Sequence, residues 1–348
     1  MKDLKGKTAV VTGAASGIGF GLAQRFAEEQ MQVVLADVEE EALEKAVEKL
    51  EQLQHRVTGI RADVLVEESV QELYAKAREQ YGNIHVLCNN AGIGANSGGK
   101  AIWEIEKTDW DWTLGVNFYG ALYGIQTFLP HMHEHGEEGH VVTTASISGL
   151  IGSVGTYGVS KHAVRSLAES LNWDLRERGS KISSSVLCSG SVTTNIANSE
   201  RNRPSSFVRS QEPNGYEEVA AAMAAMLENG KQPNEIAEIV VNAIKDNVFY
   251  ILPHLAWDDH LRAHFELILS RTELPATPPS FMVPREDGEK YYAKIESVVL
   301  SDLGWVYVIL LLIVYGVSIL GLLAFRLSRS AHSQNISNLD SETIDADK

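Results

Sequence analysis

The sequence is poor in cysteine and in positive charge. Its 348 residues include two cysteines, Cys88 and Cys188, and each lies in an apolar run that predicts a buried strand. Neither has metal-ligand neighbours at a useful spacing, so we expect reduced core thiols in a reducing compartment, with no disulfide and no metal site. Lys and Arg number 30 against 46 Asp and Glu, a formal net charge of −16. Without a basic run, the chain is not expected to bind nucleic acid.

Long runs dominated by Leu, Ile and Val are also scarce, and the one that stands out predicts a membrane anchor. The N-terminal residues 1–7 are polar and lack the apolar core of a secretory signal. Residues 305–325 carry no charge and are rich in Leu, Ile and Val. At 1.5 Å per residue, such a helix spans roughly 30 Å, the thickness of bilayer hydrocarbon. We expect a single C-terminal transmembrane helix; a buried core helix is the alternative.

Short apolar runs alternate with amphipathic segments from Thr8 to about Leu252. The runs are not strictly alternating, which is typical of parallel strands buried on both faces. Strands are predicted at Thr8–Thr12, Gln32–Asp37, Arg56–Ala62, Ile84–Asn89, His140–Ala145, Ile182–Cys188 and Phe249–Leu252. Helices are predicted at Ile18–Glu29, Glu39–Gln54, Val66–Tyr81, Trp110–His135, Tyr157–Arg178 and Asn234–Asp246. This order predicts an α/β fold with a doubly wound, parallel, seven-stranded sheet.

Residues 195–232 interrupt this alternation between the sixth and seventh strands. An insert at the carboxyl edge of the sheet is well placed to cover a site, so we expect a substrate lid. Met223 and Met226 within it either line a substrate pocket or pack on their own domain. The expected organisation is a domain at 1–255, a helical extension at 256–304, a transmembrane helix at 305–325 and a disordered polar tail at 326–348.

A glycine-rich stretch follows the first strand, and a helix begins within it: Thr12-Gly13-Ala14-Ala15-Ser16-Gly17-Ile18-Gly19. Such a loop brings backbone N–H groups and a helix N-terminus close to a pyrophosphate, although a plain tight turn is the alternative. Asp37 closes the second strand, where a carboxylate accepts hydrogen bonds from ribose hydroxyls and repels a 2′-phosphate. Asp37 could equally cap the next helix. With no Lys or Arg at positions 16 and 38, we expect NAD rather than NADP.

Tyr157 and Lys161 lie four residues apart on one predicted helix and therefore share a face. A phenol has an ordinary pKa near ~10, and a nearby ammonium lowers that pKa toward the range of a useful base. Ser146 directly follows the fifth strand and can orient a substrate oxygen. Tyr and Lys at this spacing are common by chance, so the interpretation depends on their place after the fifth strand and behind the glycine loop.

Three motifs in this order resemble the short-chain dehydrogenase/reductase family over roughly residues 5–252. The loop Thr12–Gly19 resembles the family's T-G-x-x-x-G-x-G, the stretch Asn89–Gly92 its N-N-A-G, and Tyr157–Lys161 its Y-x-x-x-K. The resemblance implies a Rossmann-type oxidoreductase that binds NAD(P).

The resemblance also implies a catalytic role for each of four residues. Tyr157 would exchange a proton with the alcohol or ketone, and Lys161 would lower the pKa of Tyr157 and hold the nicotinamide ribose. Ser146, preferred to Ser148 because it is nearer the strand end, would steady the substrate oxygen. Asn117 would hold a water that links Lys161 to solvent.

Cofactor contacts are implied along the whole carboxyl edge of the sheet. Without the family, Asp63 is equally a helix cap and Asn89–Gly92 equally an ordinary turn. Besides Asp37, Tyr157 and Lys161, the implied contacts are Gly13, Ser16, Gly17, Ile18, Gly19, Asp63, Val64, Asn90, Ala91, Gly92, Val192 and Thr194. The chain has Ser189-Gly190 where the family usually has Pro-Gly, and loss of the proline ring is expected to loosen that turn without removing chemistry.

The sequence thus predicts hydride transfer between NAD and a secondary alcohol or ketone, lipophilic if the site works beside a membrane. The alternatives are an NADP-linked carbonyl reductase and a non-catalytic nucleotide-binding scaffold of the same fold. A homo-oligomer is left open. Because the domain needs NAD, we expect it on the cytoplasmic side of the membrane. The histidines at 131, 133, 135 and 140 are interpreted as a solvated loop rather than a metal site.

Overall fold

The computed structural model describes residues 1–94, 100–152, 155–211 and 216–274. These belong to one unit, Met1–Ser280. Within them the strands form a seven-stranded parallel sheet in the order β3-β2-β1-β4-β5-β6-β7. The strands are β1 Thr8–Thr12, β2 Gln32–Asp37, β3 Val57–Arg61, β4 Val86–Asn89, β5 Gly139–Thr144, β6 Ile182–Leu187 and β7 Tyr250–Ile251. The predicted α/β doubly wound architecture is confirmed.

Helices connect successive strands. They are α1 Gly17–Glu28, α2 Glu40–Glu51, α3 Glu67–Tyr81, α4 Lys107–Leu114, α5 Gly120–Glu134, α6 Gly155–Glu177, α7 Tyr216–Glu228, α8 Pro233–Asp246 and α9 Asp258–Ser270. Gly82, Gly136 and Gly179 follow α3, α5 and α6 with positive φ, as expected of residues that end helices.

The core lies on both faces of the sheet, because the central strands are buried on both sides. On one face Leu22 and Phe26 of α1 pack with Val240 of α8. On the other face Leu73 of α3 packs with Phe128 of α5. The strand order reverses between β1 and β4, and in open parallel sheets a ligand crevice forms at the carboxyl ends of the strands beside that reversal. The fold therefore places the glycine loop and the N-N-A-G stretch next to each other.

The predicted helix Trp110–His135 is wrong in its boundaries. The helical segment begins earlier, with α4, and passes through a π-helical turn at Gly115–Tyr119 before α5. Close packing accompanies the change: a Cβ at Gly115 would overlap Leu65, and one at Gly124 would overlap the Asn89 amide. The π turn carries Asn117, and such turns often occur at functional sites.

His140 is a second correction. It lies buried inside β5, and its Nε2 is 2.7 Å from Ser185 Oγ, rather than in a solvated loop. The predicted seventh strand is also longer than the observed two residues of β7.

The C-terminal predictions are tested only in part. Within the expected extension 256–304, α9 is helical, while residues 275–304 lie outside the described residues. The expected transmembrane helix 305–325 and tail 326–348 also lie outside them. Among the described residues, no helix is both long enough and apolar enough to span a bilayer.

Candidate active site

The glycine loop after β1 has a backbone path that leaves no room for side chains at its glycine positions. Gly13 and Gly17 have φ of +66° and +55°, a region that glycine adopts at little cost. A Cβ at Gly13 would lie 2.8 Å from Ala91 Cα, and one at Gly19 would overlap the carbonyl of Gly13. Ser16 is exposed at the N-cap position of α1, with no side-chain capping bond. The loop is thus a cradle of backbone around a helix N-terminus, the arrangement that suits a pyrophosphate.

Asn90 ties this loop to the end of β4. Its Nδ2 donates to the carbonyl oxygens of Thr12 and Gly13 at 3.0 and 3.4 Å, and its Oδ1 accepts from Thr144 Oγ1 at 3.2 Å. Thr12 Oγ1 in turn accepts from the N–H groups of Asn90 and Ala91. One amide side chain therefore joins the ends of β1, β4 and β5.

Asp37 lies at the end of β2 and faces the glycine loop. Its Oδ2 accepts from Ala15 N at 2.9 Å, and its Oδ1 accepts from Glu39 N at 3.1 Å. Burial raises the pKa of the carboxyl group, while the two backbone hydrogen bonds oppose this. A carboxylate held beside the loop, at the strand next to β1, has the position expected of a ribose acceptor.

Ser146 follows β5 and caps a short 3₁₀ turn, Ile147–Gly149. Its buried Oγ accepts from Ser148 N at 3.1 Å and donates to the carbonyl of Ser189 at 3.4 Å. Ser148 contributes its backbone here, which agrees with the preference for Ser146 as the site hydroxyl.

Lys161 and Asn117 meet beside Gly92. Lys161 is 3 % exposed, and its Nζ donates to the carbonyl of Thr144 at 3.0 Å. Asn117 is held by Ile93, whose N–H donates to Oδ1 at 2.8 Å, and by Ser160 at 3.0 Å from Nδ2. A Cβ at Gly92 would lie 3.3 Å from Asn117 Oδ1 and 3.4 Å from Lys161 Nζ. Glycine at this position keeps the ammonium accessible from the N-N-A-G turn.

Burial dominates the electrostatics of the Tyr157 and Lys161 pair. It raises the pKa of the Tyr157 phenol, and a hydrogen bond with Ser146 opposes this. It also lowers the pKa of Lys161 to about 8. Lys161 Nζ lies 5.6 Å from the centre of the Tyr157 ring. The expectation that Lys161 lowers the pKa of Tyr157 stays a prediction; the influences found on that pKa here are burial and the hydrogen bond with Ser146.

The remaining predicted cofactor contacts divide into two groups. Thr194 lies against the glycine loop, since a Cβ at Gly17 would be 3.0 Å from its Cγ2. Asp63 accepts from Leu65 N at 3.0 Å in the turn before α3; since Val66 is the N-cap of that helix, this contact is not the helix-capping role left open from the sequence. The side chain of Val64 packs against Gly120, and that of Val192 is buried in the core, so Val192 can offer a ligand only its backbone.

Comparisons with known proteins agree with this geometry. Residues 7–205 match the family model described as short chain dehydrogenase. The Cα-dehydrogenase of Sphingobium sp. (strain NBRC 103272 / SYK-6) is 36% identical over 281 residues, 77% of this chain and 87% of that protein. The 1-deoxy-11-beta-hydroxypentalenate dehydrogenase of Streptomyces exfoliatus is 32% identical over 279 residues, 80% of this chain and 93% of that protein.

A solved short chain dehydrogenase/reductase from Burkholderia phymatum, in complex with NAD, superimposes with a TM-score of 0.76. It is 38% identical, and the match covers 80% of this chain and all of that one. The chain belongs to the short-chain dehydrogenase family. Membership makes it an oxidoreductase of the dehydrogenase type, with a Rossmann fold.

Two features of this dehydrogenase were not anticipated from its sequence. Thr12, at the carboxyl end of β1, holds the N-N-A-G turn through its hydroxyl; the signal available was a threonine at a strand end before a glycine. His254, beyond β7, contacts the loop that follows β6. No local pattern marks that histidine, because its partners lie more than sixty residues away in the chain.

The described part of the segment expected to form a lid is held by polar contacts. Ser199 Oγ accepts from Gly94 N at 3.0 Å. Arg201 forms an ion pair with Glu39 at 2.5 Å. Because Glu39 follows β2, this pair joins the predicted lid segment to the carboxyl end of β2. In α7, Met223 approaches Gly94, whose Cβ would lie 3.5 Å from the methionine Cε, and this contact favours the pocket-lining interpretation of Met223.

Proposed function

We propose that the protein transfers a hydride between NAD and a secondary alcohol or ketone, with Tyr157 as the general acid and base. The observation that carries the proposal is the convergence of Ser146, Tyr157, Lys161 and Asn117 at the carboxyl ends of β4 and β5, beside a glycine cradle. The cradle suits a dinucleotide, because it presents backbone at the N-terminus of α1; side chains at Gly13 and Gly19 would collide with Ala91 and with the Gly13 carbonyl that shape it. When bound, NAD supplies the hydride-accepting ring.

Each residue would act on the substrate oxygen or on its proton. Tyr157, whose pKa burial raises, is protonated at neutral pH and donates to a carbonyl oxygen in the direction of reduction. Ser146 orients that oxygen through its hydroxyl. Lys161, whose pKa burial lowers to about 8, still carries a positive charge at neutral pH. Asn117 holds the backbone of Ile93 in place beside it. In the direction of oxidation, Tyr157 must lose its proton, so oxidation of an alcohol is expected to speed up as pH rises.

Cofactor choice follows from Asp37. A partly buried carboxylate beside the loop accepts hydrogen bonds from ribose hydroxyls and disfavours a 2′-phosphate, which supports NAD over NADP. We further propose that residues 305–325 anchor the protein as a single membrane span, with the catalytic domain cytoplasmic. A site held beside a bilayer, with the apolar side chains of Met223 and Met226 in its lid, suits a lipophilic substrate.

The test combines binding with turnover. The full chain is titrated with NADH and with NADPH by fluorescence, and NADH formation is followed over a panel of secondary alcohols. We expect tighter binding of NADH than of NADPH. Tyr157→Phe should lose at least about a hundredfold in kcat, because it removes the acid and base, and should keep its affinity for NADH.

Three outcomes would contradict parts of the proposal. Normal turnover by Tyr157→Phe would exclude the assigned acid and base. NADH binding without turnover of any alcohol or ketone would favour the nucleotide-binding scaffold. Tighter binding of NADPH would favour the NADP-linked reductase.

A further inference from the structure

The segment after β7 reaches back to the loop that follows β6. His254 lies three residues beyond β7 and is half-buried. Its Nδ1 is 3.1 Å from Gly190 N, which donates to it, and its Nε2 is 2.9 Å from the carbonyl oxygen of Ser191. A single tautomer satisfies both contacts: the neutral imidazole with its hydrogen on Nε2.

The Gly190 N–H belongs to the same peptide group as the Ser189 carbonyl. That carbonyl accepts from Ile147 N at 2.9 Å and from Ser146 Oγ at 3.4 Å. The peptide plane is therefore held on one side by the catalytic serine's turn and on the other by His254. The Trp257 side chain packs against Gly190, since a Cβ added at Gly190 would lie 2.7 Å from Trp257 Nε1.

The contact with Ser191 extends this restraint toward the glycine loop. The Ser191 carbonyl also accepts from Lys231 N at 3.1 Å, and Thr193 N donates to the Lys231 carbonyl at 2.9 Å. Thr194, the next residue, packs against Gly17. His254 thus restrains the start of the stretch Ser189–Thr194. That stretch connects the Ser146 hydroxyl with the predicted pyrophosphate cradle.

We propose that His254 is a positioning residue of the dehydrogenase reaction, which in its neutral form holds the Ser189–Gly190 peptide and, through it, Ser146 and the cofactor-facing stretch to Thr194. Ser189 stands where a proline ring would otherwise stiffen the turn, and the imidazole restrains that turn by hydrogen bonds instead. The proposal rests on the proposed function, because it assigns a role toward the cofactor.

The same geometry makes the restraint sensitive to acid. Burial lowers the pKa of His254, and Lys231 lowers it further, while the Ser191 carbonyl and Glu235 on α8 oppose the shift. Protonation places a hydrogen on Nδ1, which then faces the Gly190 N–H and no longer accepts from it. The contact is therefore complete above the ordinary histidine pKa of about 6.5 and is lost as pH falls through the lower pKa of the folded protein.

The experiment measures NADH affinity of the full chain by fluorescence from pH 5.5 to 8. The variants are His254→Ala, His254→Asn and, as a matched control, His133→Asn, which changes an exposed histidine of α5. His254→Ala should bind NADH about three- to tenfold more weakly at pH 7.5, the loss expected for one to two hydrogen bonds. Asn can still accept from Gly190 N through its side-chain oxygen, so His254→Asn should recover most of that affinity.

The pH profile separates positioning from a general loss of structure. The wild type and His133→Asn should lose affinity as pH falls through the lowered pKa of His254, while His254→Asn, which cannot titrate, should show a flatter profile. Circular dichroism and the urea midpoint establish that each variant is folded; if the alanine variant is not, the asparagine profile decides.

Two failures are distinguishable. If the wild type does not bind NADH or NADPH, the proposed function fails. If it binds and His254→Ala matches it within twofold at every pH, or if His254→Asn keeps the full acid sensitivity, the role of His254 is overturned.

Discussion

At the scale of single residues, buried histidines make this domain responsive to pH outside its active site. His140 lies within β5 with 0 % of its surface exposed. Its Nε2 donates to Ser185 Oγ, which itself donates to the carbonyl of Val248, so the histidine is held neutral. Within the part of the chain that the structure describes, its Nδ1 has no hydrogen-bond partner. Burial lowers the pKa of His140 to about 3, because a charged imidazole cannot be solvated there.

This residue should make the fold less stable in acid. The unfolded chain takes up a proton on His140 below about pH 6.5, while the folded chain does not until about pH 3. Unfolding is therefore favoured as pH falls through that window, by about 2 kcal/mol at pH 5 for this group.

Urea unfolding at pH 7 and pH 5 measures the effect. His140→Leu should lose less free energy of unfolding between the two pH values than the wild type does, by about that amount, and His133→Asn should behave like the wild type. Equal losses in all three proteins would show that His140 is not the titrating group.

At the scale of elements, a buried ion network fastens the segment between β6 and α7, part of the predicted lid, to α4. Asp109 of α4 is 1 % exposed, and its Oδ1 accepts from Arg203 and Arg209 at 2.7 Å each. Glu200 pairs with both arginines, and the Arg203 guanidinium lies 4.1 Å from the centre of the Trp112 ring. Among the described residues, two carboxylates face two guanidinium groups, and Asp109 is almost fully buried, so removal of its charge leaves positive charge uncompensated in a buried place.

Asp109→Asn should therefore lower the free energy of unfolding by about 3 kcal/mol, as is typical when one member of a buried ion pair is removed. Asp111→Asn is the matched control on the same helix, because Asp111 pairs with Lys107 at the exposed surface. That change should cost less than about 1 kcal/mol. Urea denaturation of both variants at pH 7.5 compares them, and equal losses would mean that the Asp109 network contributes no more than a surface pair.

At the scale of the whole molecule, the described residues account for the catalytic domain, and the predicted anchor depends on sequence alone. Residues 305–325 carry no charge across a length that fits a bilayer. The acidic charge of −16 gives the remainder no electrostatic attraction to anionic lipid. The apolar run is therefore the feature of the sequence that most directly predicts membrane binding.

Fractionation of expressing cells tests this directly. The full chain should sediment with membranes and be released by detergent, and a chain that ends at residue 274 should not sediment. A chain that lacks only 326–348 keeps the apolar run and should remain with the membranes. Membrane association of the shortened chain, or its absence in the full one, would exclude the predicted anchor.

Local pattern was enough to predict the sheet, the glycine loop and the spacing of Tyr157 and Lys161. Strand and helix periodicity, together with the turn chemistry of glycine, depend on residues close in the chain, so the sequence alone determined these features. It also determined Asp37, which closes a recognisable strand. The boundaries of the helix around Asn117 were wrong and its π turn was not predicted; that turn lies where Gly115 packs against Leu65 and Gly124 against Asn89, contacts between residues distant in the chain.

Only the tertiary structure decided which side chains meet. Asn90 reaches Thr12, His254 reaches Gly190, and Asp109 reaches Arg209, over separations of 78, 64 and 100 residues. These contacts exist because the strand order brings the carboxyl ends of β1, β4, β5 and β6 to one edge and lets the segments beyond β6 and β7 fold over it. The sequence determined which chemical groups were available, and the parallel sheet decided which of them stand within hydrogen-bond distance.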